Sequence, residues 1–309
     1  MLSFGIRRLL QSVPTVAAVA MVVFVMFSVI PGSIATSMGD DGRGPMDPAV
    51  VERMRKELGL DDPVYLRFAH YVAKLAVLDL GVSFRSREPV SQLLAKRLWP
   101  TLQLVLASMG VAILIGVPLG FVAAMRPGGL IDAVSMLIAV SGLSIPKFWF
   151  GLLLMYLFAL KLGWFPTFGY GNWWYLVLPA VTLGVSPLAL LARTTRAAVL
   201  DVVNADFVRT ARSKGMSETR VVRWHVMRNV AVIVLTTLGL QFGSLMGQAV
   251  VVEKLFSWPG IGSLLVDSVF QRDIPAVQGC ILLIVLFFLV INTLVDIACA
   301  MIDPRIKYT

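Results

Sequence analysis

Long apolar runs separated by short polar segments dominate the hydropathy pattern of the chain from end to end. A helix that crosses a bilayer needs about 20 mostly apolar residues, because lipid offers its backbone no hydrogen-bond partner. Six stretches meet this requirement: Leu9–Ile30, Leu98–Met125, Ala133–Leu160, Tyr175–Ala192, Asn229–Val252 and Ile274–Val295. The first two carry no charge, and the third carries only Lys147. The second and third exceed the bilayer thickness, which predicts spans that tilt or project beyond it. An aromatic, glycine-rich connector from Gly163 to Trp174 precedes the fourth and shortest run. The first run has a basic start, Arg7-Arg8, but outlasts the about 7–15 apolar residues of a signal peptide and reads as a retained span.

Between the first two runs the pattern turns amphipathic. Asp47-Pro48 sets an N-cap and first helical position, Val50, Val51, Met54 and Leu58 share one face, and Gly59 stops the helix. Asp62-Pro63 repeats the device for a second helix along Tyr65, Phe68, Val72 and Leu75. The predicted fold class is therefore all-α, a polytopic membrane protein with six spanning helices. Its parts are an N-terminal end and first span over 1–30, a helical segment over 31–97, and a core over 98–309 that includes a polar loop at 193–228.

Composition supports this class. Hydrophobic residues make up 58% and charged residues 15%, against roughly 45–50% and about 25% in soluble domains. Those values exclude a soluble globular protein, a disordered chain and a disulfide-framed module. Cys280 and Cys299 are 19 residues apart on one helix, about 28 Å, and cannot pair with each other.

The net charge of +9 is distributed by side. The 193–228 loop holds eight basic residues against three acidic ones, and Arg7, Arg8, Arg126, Arg305 and Lys307 bring that side to thirteen basic residues. The positive-inside rule makes this side cytoplasmic, with both termini on it. The 31–97 segment, with ten basic and nine acidic residues, lies outside. The excess charge is a topological label and not a nucleic-acid footprint.

Catalytic chemistry is sparse. The two histidines, His70 and His225, fall on opposite sides of the membrane, and no H-E-x-x-H occurs. Neither histidine lies in a span where it could activate an intramembrane serine. The chain contains no G-x-x-x-x-G-K-S/T phosphate loop, so it cannot hydrolyse ATP by that route. The expected catalytic, cofactor and metal sites in this chain are none.

The most informative stretch is Asn204-Ala-Asp-Phe-Val-Arg-Thr-Ala-Arg-Ser-Lys-Gly215, which predicts one short cytoplasmic helix. Asn204 is placed to cap it, Asp206 favours its first turn, Arg212 and Lys214 its last, and Gly215 a left-handed stop. Ser217 then starts a helix leading into the fifth span. A solvated basic loop and a membrane-surface helix are alternatives, but the small residues Thr210, Ala211 and Ser213 suit close packing in a partner's groove.

The run Asp206–Gly215, followed by Val221-Val222 and His225-x-x-Arg228-Asn229, resembles the cytoplasmic signature of ATP-binding cassette (ABC) importer permeases. The similarity is to the dipeptide, oligopeptide, glutathione and nickel group. It continues in Gly59-Leu-Asp-Asp-Pro63, Asp79-Leu-Gly-Val-Ser83, Phe256-Ser-Trp-Pro-Gly-Ile-Gly262, Arg272-Asp273-x-Pro275-x-x-Gln278-Gly279 and Asp303-Pro-Arg-Ile306. Gly239-Leu-Gln-Phe-Gly243 and Val251-Val-Glu-Lys254 are most similar to glutathione and dipeptide permeases. Ser33 replaces an Asp often found after Pro-Gly in this group, and Ile233 stands where many members carry Pro.

The resemblance implies a five-helix permease core with an added first helix. It also implies a homologous second permease, two cytoplasmic ATPase subunits that hold ATP and Mg, an extracytoplasmic binding protein and a surrounding shell of membrane lipids. Asp206, Phe207, Arg209, Thr210, Ala211, Arg212, Lys214 and Gly215 correspond to the helix that couples to an ATPase. The Trp258-Pro259-Gly260 loop lies near the outer gate in that family. An interfacial Trp before a tight turn is the simpler reading of the same residues.

Other polar residues invite two readings each. Lys147, just after Pro146, stands near the middle of a 28-residue stretch, where an unpaired cation costs about 2.5–3.5 kcal/mol on insertion scales. It either snorkels, sits at a break near an interface, or lines the pathway and attracts a peptide carboxylate. Gln241, Ser244 and Gln248 recur at helical spacing beside Gly243 and Gly247, as packing residues or as a polar strip along the route. Asp296, one turn from Asn292, is expected to pair with a loop Arg or meet headgroup water. The function expected is import of short peptides. Nickel or another small solute is the alternative, and a stand-alone secondary transporter or a non-transporting scaffold are rivals from other classes.

Overall fold

The structure is a computed structural model that describes residues 2–29 and 62–302. The helix expected at Asp47–Gly59, the Ser33 turn and the Asp303-Pro-Arg-Ile306 segment lie outside those residues, as does the side chain of Asp296. The described chain is helical, with one isolated antiparallel bridge between Val82 and Pro89.

Ten helices are named here in chain order: α1 Leu2–Val29, α2 Val64–Ala76, α3 Val90–Met125, α4 Leu130–Ser144, α5 Lys147–Lys161, α6 Trp174–Val203, α7 Asp206–Ser213, α8 Glu218–Leu255, α9 Ile261–Phe270 and α10 Ile274–Ile302. Among the described residues α3, α6, α8 and the first 22 residues of α10 are long and apolar enough to cross a membrane, and α4 with α5 meets the same criteria only as a pair bent by 110°, a broken span or a re-entrant loop. The 28-residue α1 contains a shorter apolar stretch, Val13–Met26.

Two expectations change. Read as one span, the 133–160 stretch is broken at Ile145-Pro146, one of the readings given for Lys147, where both residues are extended (ψ 127° and 130°). Proline lacks an N–H and drives the preceding residue out of the helical region, which closes α4 at Ser144. The 193–228 segment is mostly a continuation of spans rather than a loop. α6 runs on to Val203 and α8 begins at Glu218, which leaves α7 and two short turns between them.

The described chain divides into two compact units. Of the described residues, one unit comprises Thr101–Trp258 with 288–302, the other 2–29 and 62–100 with Pro259–Phe287. In the first, α6 is the central helix, flanked by α4, α8 and the second half of α3. Glycine permits the closest approach: a side chain at Gly184 would meet the Ser108 carbonyl oxygen at 2.7 Å. At the end of this unit that carries α7, Val199, Val208, Ala211, Val221, Val226 and Val230 form a common apolar core.

In the second unit Phe24 of α1 packs on Phe68 and Tyr71 of α2, at centroid distances of 5.2 and 5.7 Å. Val90, Leu94, Ile261 and Cys280 form its other core. Ser83 Oγ donates to Asp273 Oδ2 (2.5 Å) and the Phe84 N–H to Asp273 Oδ1 (3.1 Å). Two family-like segments far apart in sequence, Asp79–Ser83 and Arg272–Gly279, are thereby tied together. A cavity of about 510 Å³ in this unit is lined in part by Tyr71, Lys74, Arg87 and Gln278. Burial pushes the Tyr71 phenol up to about 12.

Candidate coupling surface and pathway

α7 is placed by its ends. Ala205, in extended conformation, precedes the first turn, and no side chain caps it. The expected cap, Asn204, instead turns its amide back to the Leu200 carbonyl of α6 (2.9 Å). This correction follows from the continuation of α6: Asn204 is the C-cap residue of that helix, which ends at Val203, and its side chain serves α6 instead of α7. The stop is as predicted. Gly215 has φ +77°, and its N–H bonds the Arg212 carbonyl (2.9 Å) while the Met216 N–H reaches Ala211 (3.4 Å).

Val208 and Ala211 are the two residues of α7 buried against the chain's own core. Asp206, Phe207, Arg209, Thr210, Arg212, Ser213, Lys214 and Gly215 are exposed. The expectation that Thr210, Ala211 and Ser213 share a partner-facing surface is thus corrected at Ala211, which packs inward. Arg212 forks onto Glu218, with Nη2 donating to Oε1 (2.6 Å) and Nε to Oε2 (3.1 Å). This contact pushes the guanidinium's pKa further up and braces α7 against the start of α8.

A second brace was not visible in the sequence. Asp132, in the first turn of α4, accepts from Arg196 of α6 through Nε (2.5 Å) and Nη2 (2.6 Å), and from the Gly128 N–H (2.9 Å). The carboxylate side chain is 7% exposed and the guanidinium 27%. The opposite signs of the two residues were the only available signal, and 64 positions separate them.

Lys147 begins α5 immediately after the break. Its side chain is half-buried, and its amine nitrogen is buried without a hydrogen-bond partner among the described residues. Gln241, Ser244 and Gln248 of α8 are half-buried, and Ser244 Oγ donates to the Gln241 carbonyl (2.9 Å) and to its Oε1 (3.2 Å). Side chains at Gly239 and Gly243 would collide with Val295 and Phe288 of α10, so those glycines are packing positions. At about 100° per residue, the three polar residues lie roughly opposite them on α8. Gly247 faces open space and is not a packing residue in this chain.

Trp258 is 2% exposed, which corrects the reading of an interfacial Trp. Ser257 at φ +52° turns the chain, and Tyr170 meets the Trp258 ring edge-on at 4.8 Å. Tyr170 also donates to Gln103 (2.8 Å), and the Gly169 N–H donates to the Phe256 carbonyl (2.9 Å). The aromatic connector is therefore fastened to this loop. Pro259 is half-buried and the buried Gly260 leads into α9. Glu253 is fully buried and accepts from Thr101 Oγ1 (2.6 Å).

Residues 116–308 match the family described as the binding-protein-dependent transport system inner membrane component, and residues 1–105 match its N-terminal companion. The chain belongs to this family. The permease is 46% identical over 309 residues to the glutathione transport system permease protein GsiC of Escherichia coli and of Shigella dysenteriae, and 45% identical to that of Shigella flexneri, with all of each chain covered. Among solved structures, the MetNI methionine ABC transporter in inward-facing conformations matches with a TM-score of 0.56 at 18% identity, over 69% of the permease and 97% of that chain. An amino acid ABC transporter with histidines matches with a TM-score of 0.53 at 18% identity, over 70% and 95%. These two likenesses establish the fold as that of ABC importer permeases.

Proposed function

We propose that the permease forms half of the translocation pathway of an ATP-driven importer of short peptides, glutathione among them. The observation that carries the substrate class is the 46% identity, without truncation of either chain, to permeases named for glutathione transport. α1 supplies a sixth span, and the segment between α1 and α3 faces the extracytoplasmic side. Energy comes from two partner ATPase subunits that bind ATP and Mg, since this sequence lacks a phosphate loop. A second permease completes the pathway, and a binding protein delivers the substrate from outside.

The mechanism follows from the brace geometry. The exposed face of α7, with Phe207, Arg209, Thr210 and Lys214, docks on an ATPase subunit, while Val208 and Ala211 key the helix into the ends of α6 and α8. Closure of the ATPase pair on ATP displaces α7. The Arg212–Glu218 and Arg196–Asp132 contacts then pass that displacement to α8 and α4 as rigid pieces. Gln241, Ser244 and Gln248 offer weak polar contacts on the route. The Trp258-Pro259-Gly260 loop, fastened through Tyr170, serves the outer gate.

The test is uptake by the intact complex in liposomes, with its ATPases and binding protein, of radiolabelled glutathione and a labelled dipeptide. Uptake should require internal Mg-ATP and should survive collapse of ion gradients. Uptake driven by an ion gradient without ATP, or confined to a nickel chelate, would overturn the proposal.

A further inference from the structure

We infer that Lys147 is a specificity-determining residue of the pathway that recognises the C-terminal carboxylate of the substrate. The inference rests on the peptide-importer reading and names a chemical group within it. Its first support is depth. A side chain at Gly142 would touch Val185 and Ala189 (both 3.3 Å), and one at Gly151 would meet Leu255 at the end of α8 (2.5 Å), Thr182 (3.0 Å) and Phe256 (3.3 Å). The break between these glycines is thus level with Thr182–Ala189, near the middle of the apolar part of α6. Thr182 and Val185 lie about 12–17 Å along α6 from Trp174, and half a hydrocarbon core is about 15 Å. Measured along α6, Lys147 therefore sits well inside the apolar run and not at its ends.

The second support is the absence of a counter-charge. Its amine is buried with no partner among the described residues. Among the described residues the two buried acids of this unit are engaged elsewhere, Glu253 by Thr101 and Asp132 by Arg196. The third support is the break itself. Non-helical backbone at this depth persists only where it is enclosed by protein or lines a watery route, and interrupted helices in transporters mark substrate sites near the midplane. The positive end of the α5 dipole adds to the lysine's charge. The amine is covered in this structure, so contact with substrate belongs to a state in which α4 and α5 have shifted at Pro146.

The test compares labelled glutathione with its glycyl monoethyl ester, both carried by the reconstituted complex at saturating binding protein. The binding protein's own discrimination is the same for every permease variant and cancels in the comparison. Lys147→Met should lower the acid-to-ester uptake ratio about tenfold, the value of one lost charge-assisted contact, while Lys147→Arg should retain it. If Lys147→Met fails to assemble, Lys147→Gln carries the same comparison. An unchanged ratio, with both compounds reduced equally, would overturn the assignment and leave the peptide-importer reading intact. Failure of the wild-type complex to carry either compound would overturn that reading and the Lys147 role with it.

Discussion

At the residue scale, the fate of each charged side chain inside the permease turns on whether the fold supplies a partner. Arg196 lies in α6, where its guanidinium meets both oxygens of Asp132, and the carboxylate is almost wholly buried. Removing one member strands the other, a cost that usually exceeds what the pair contributes over apolar replacements. Arg196→Met should therefore destabilise the permease by about 2 kcal/mol. The double replacement Asp132→Leu with Arg196→Met should recover most of that loss. Thermal unfolding in detergent, followed by tryptophan fluorescence, measures both; a single variant that melts with the wild type would contradict the bracing role. The sequence displays these charges but not their pairing, because contact across 64 positions is a product of packing.

At the element scale, α7 is read well from local signals and incompletely from periodicity. Its acidic first turn at Asp206, its basic last turn and its Gly215 stop depend on a few neighbouring residues and appear as expected, while the cap expected at Asn204 does not. Which side faces inward depends on where α6 and α8 run, and they put Ala211 inside while Thr210 stays out. The two neighbours should therefore respond differently to the same bulk. Thr210→Trp should assemble normally yet uncouple ATP hydrolysis from uptake, and Ala211→Trp should lower the yield of folded permease by overpacking, at about 1–3 kcal/mol. Size-exclusion profiles and ATPase-to-uptake ratios separate these outcomes. Normal uptake by Thr210→Trp would remove α7 from the docking role. The same logic applies to the third apolar run: its length is plain in the sequence, and Pro146 marks a weak point, but the 110° bend and its depth require α6 as a reference.

At the scale of the whole molecule, the +9 charge becomes a statement about sides. The loop with eight basic residues carries α7, and the connector 163–174 leads into the opposite end of α6. In a chain with Cys280→Ala and Cys299→Ala, Asn172→Cys should react with an impermeant maleimide on intact spheroplasts. Ser213→Cys should react only after permeabilisation. The reverse pattern would invert the topology and place α7 out of reach of any ATPase.

The sequence by itself determined the membrane class, the predicted sidedness, the lack of a phosphate loop, and the position and stop of α7. Each of these is a local quantity: a run length, a charge count, a motif or a turn residue. Only the tertiary structure decided that Asp132 holds Arg196, that Trp258 is enclosed beside Tyr170, that Gly239 and Gly243 pack on α10 while Gln241, Ser244 and Gln248 lie on the other side of α8, and that the Lys147 amine is buried with no hydrogen-bond partner among the described residues. Hydropathy records how much of a helix avoids water. Which residues meet across helices is set by close approach and buried polar pairing between segments distant in the chain, and neither leaves a periodic trace in sequence.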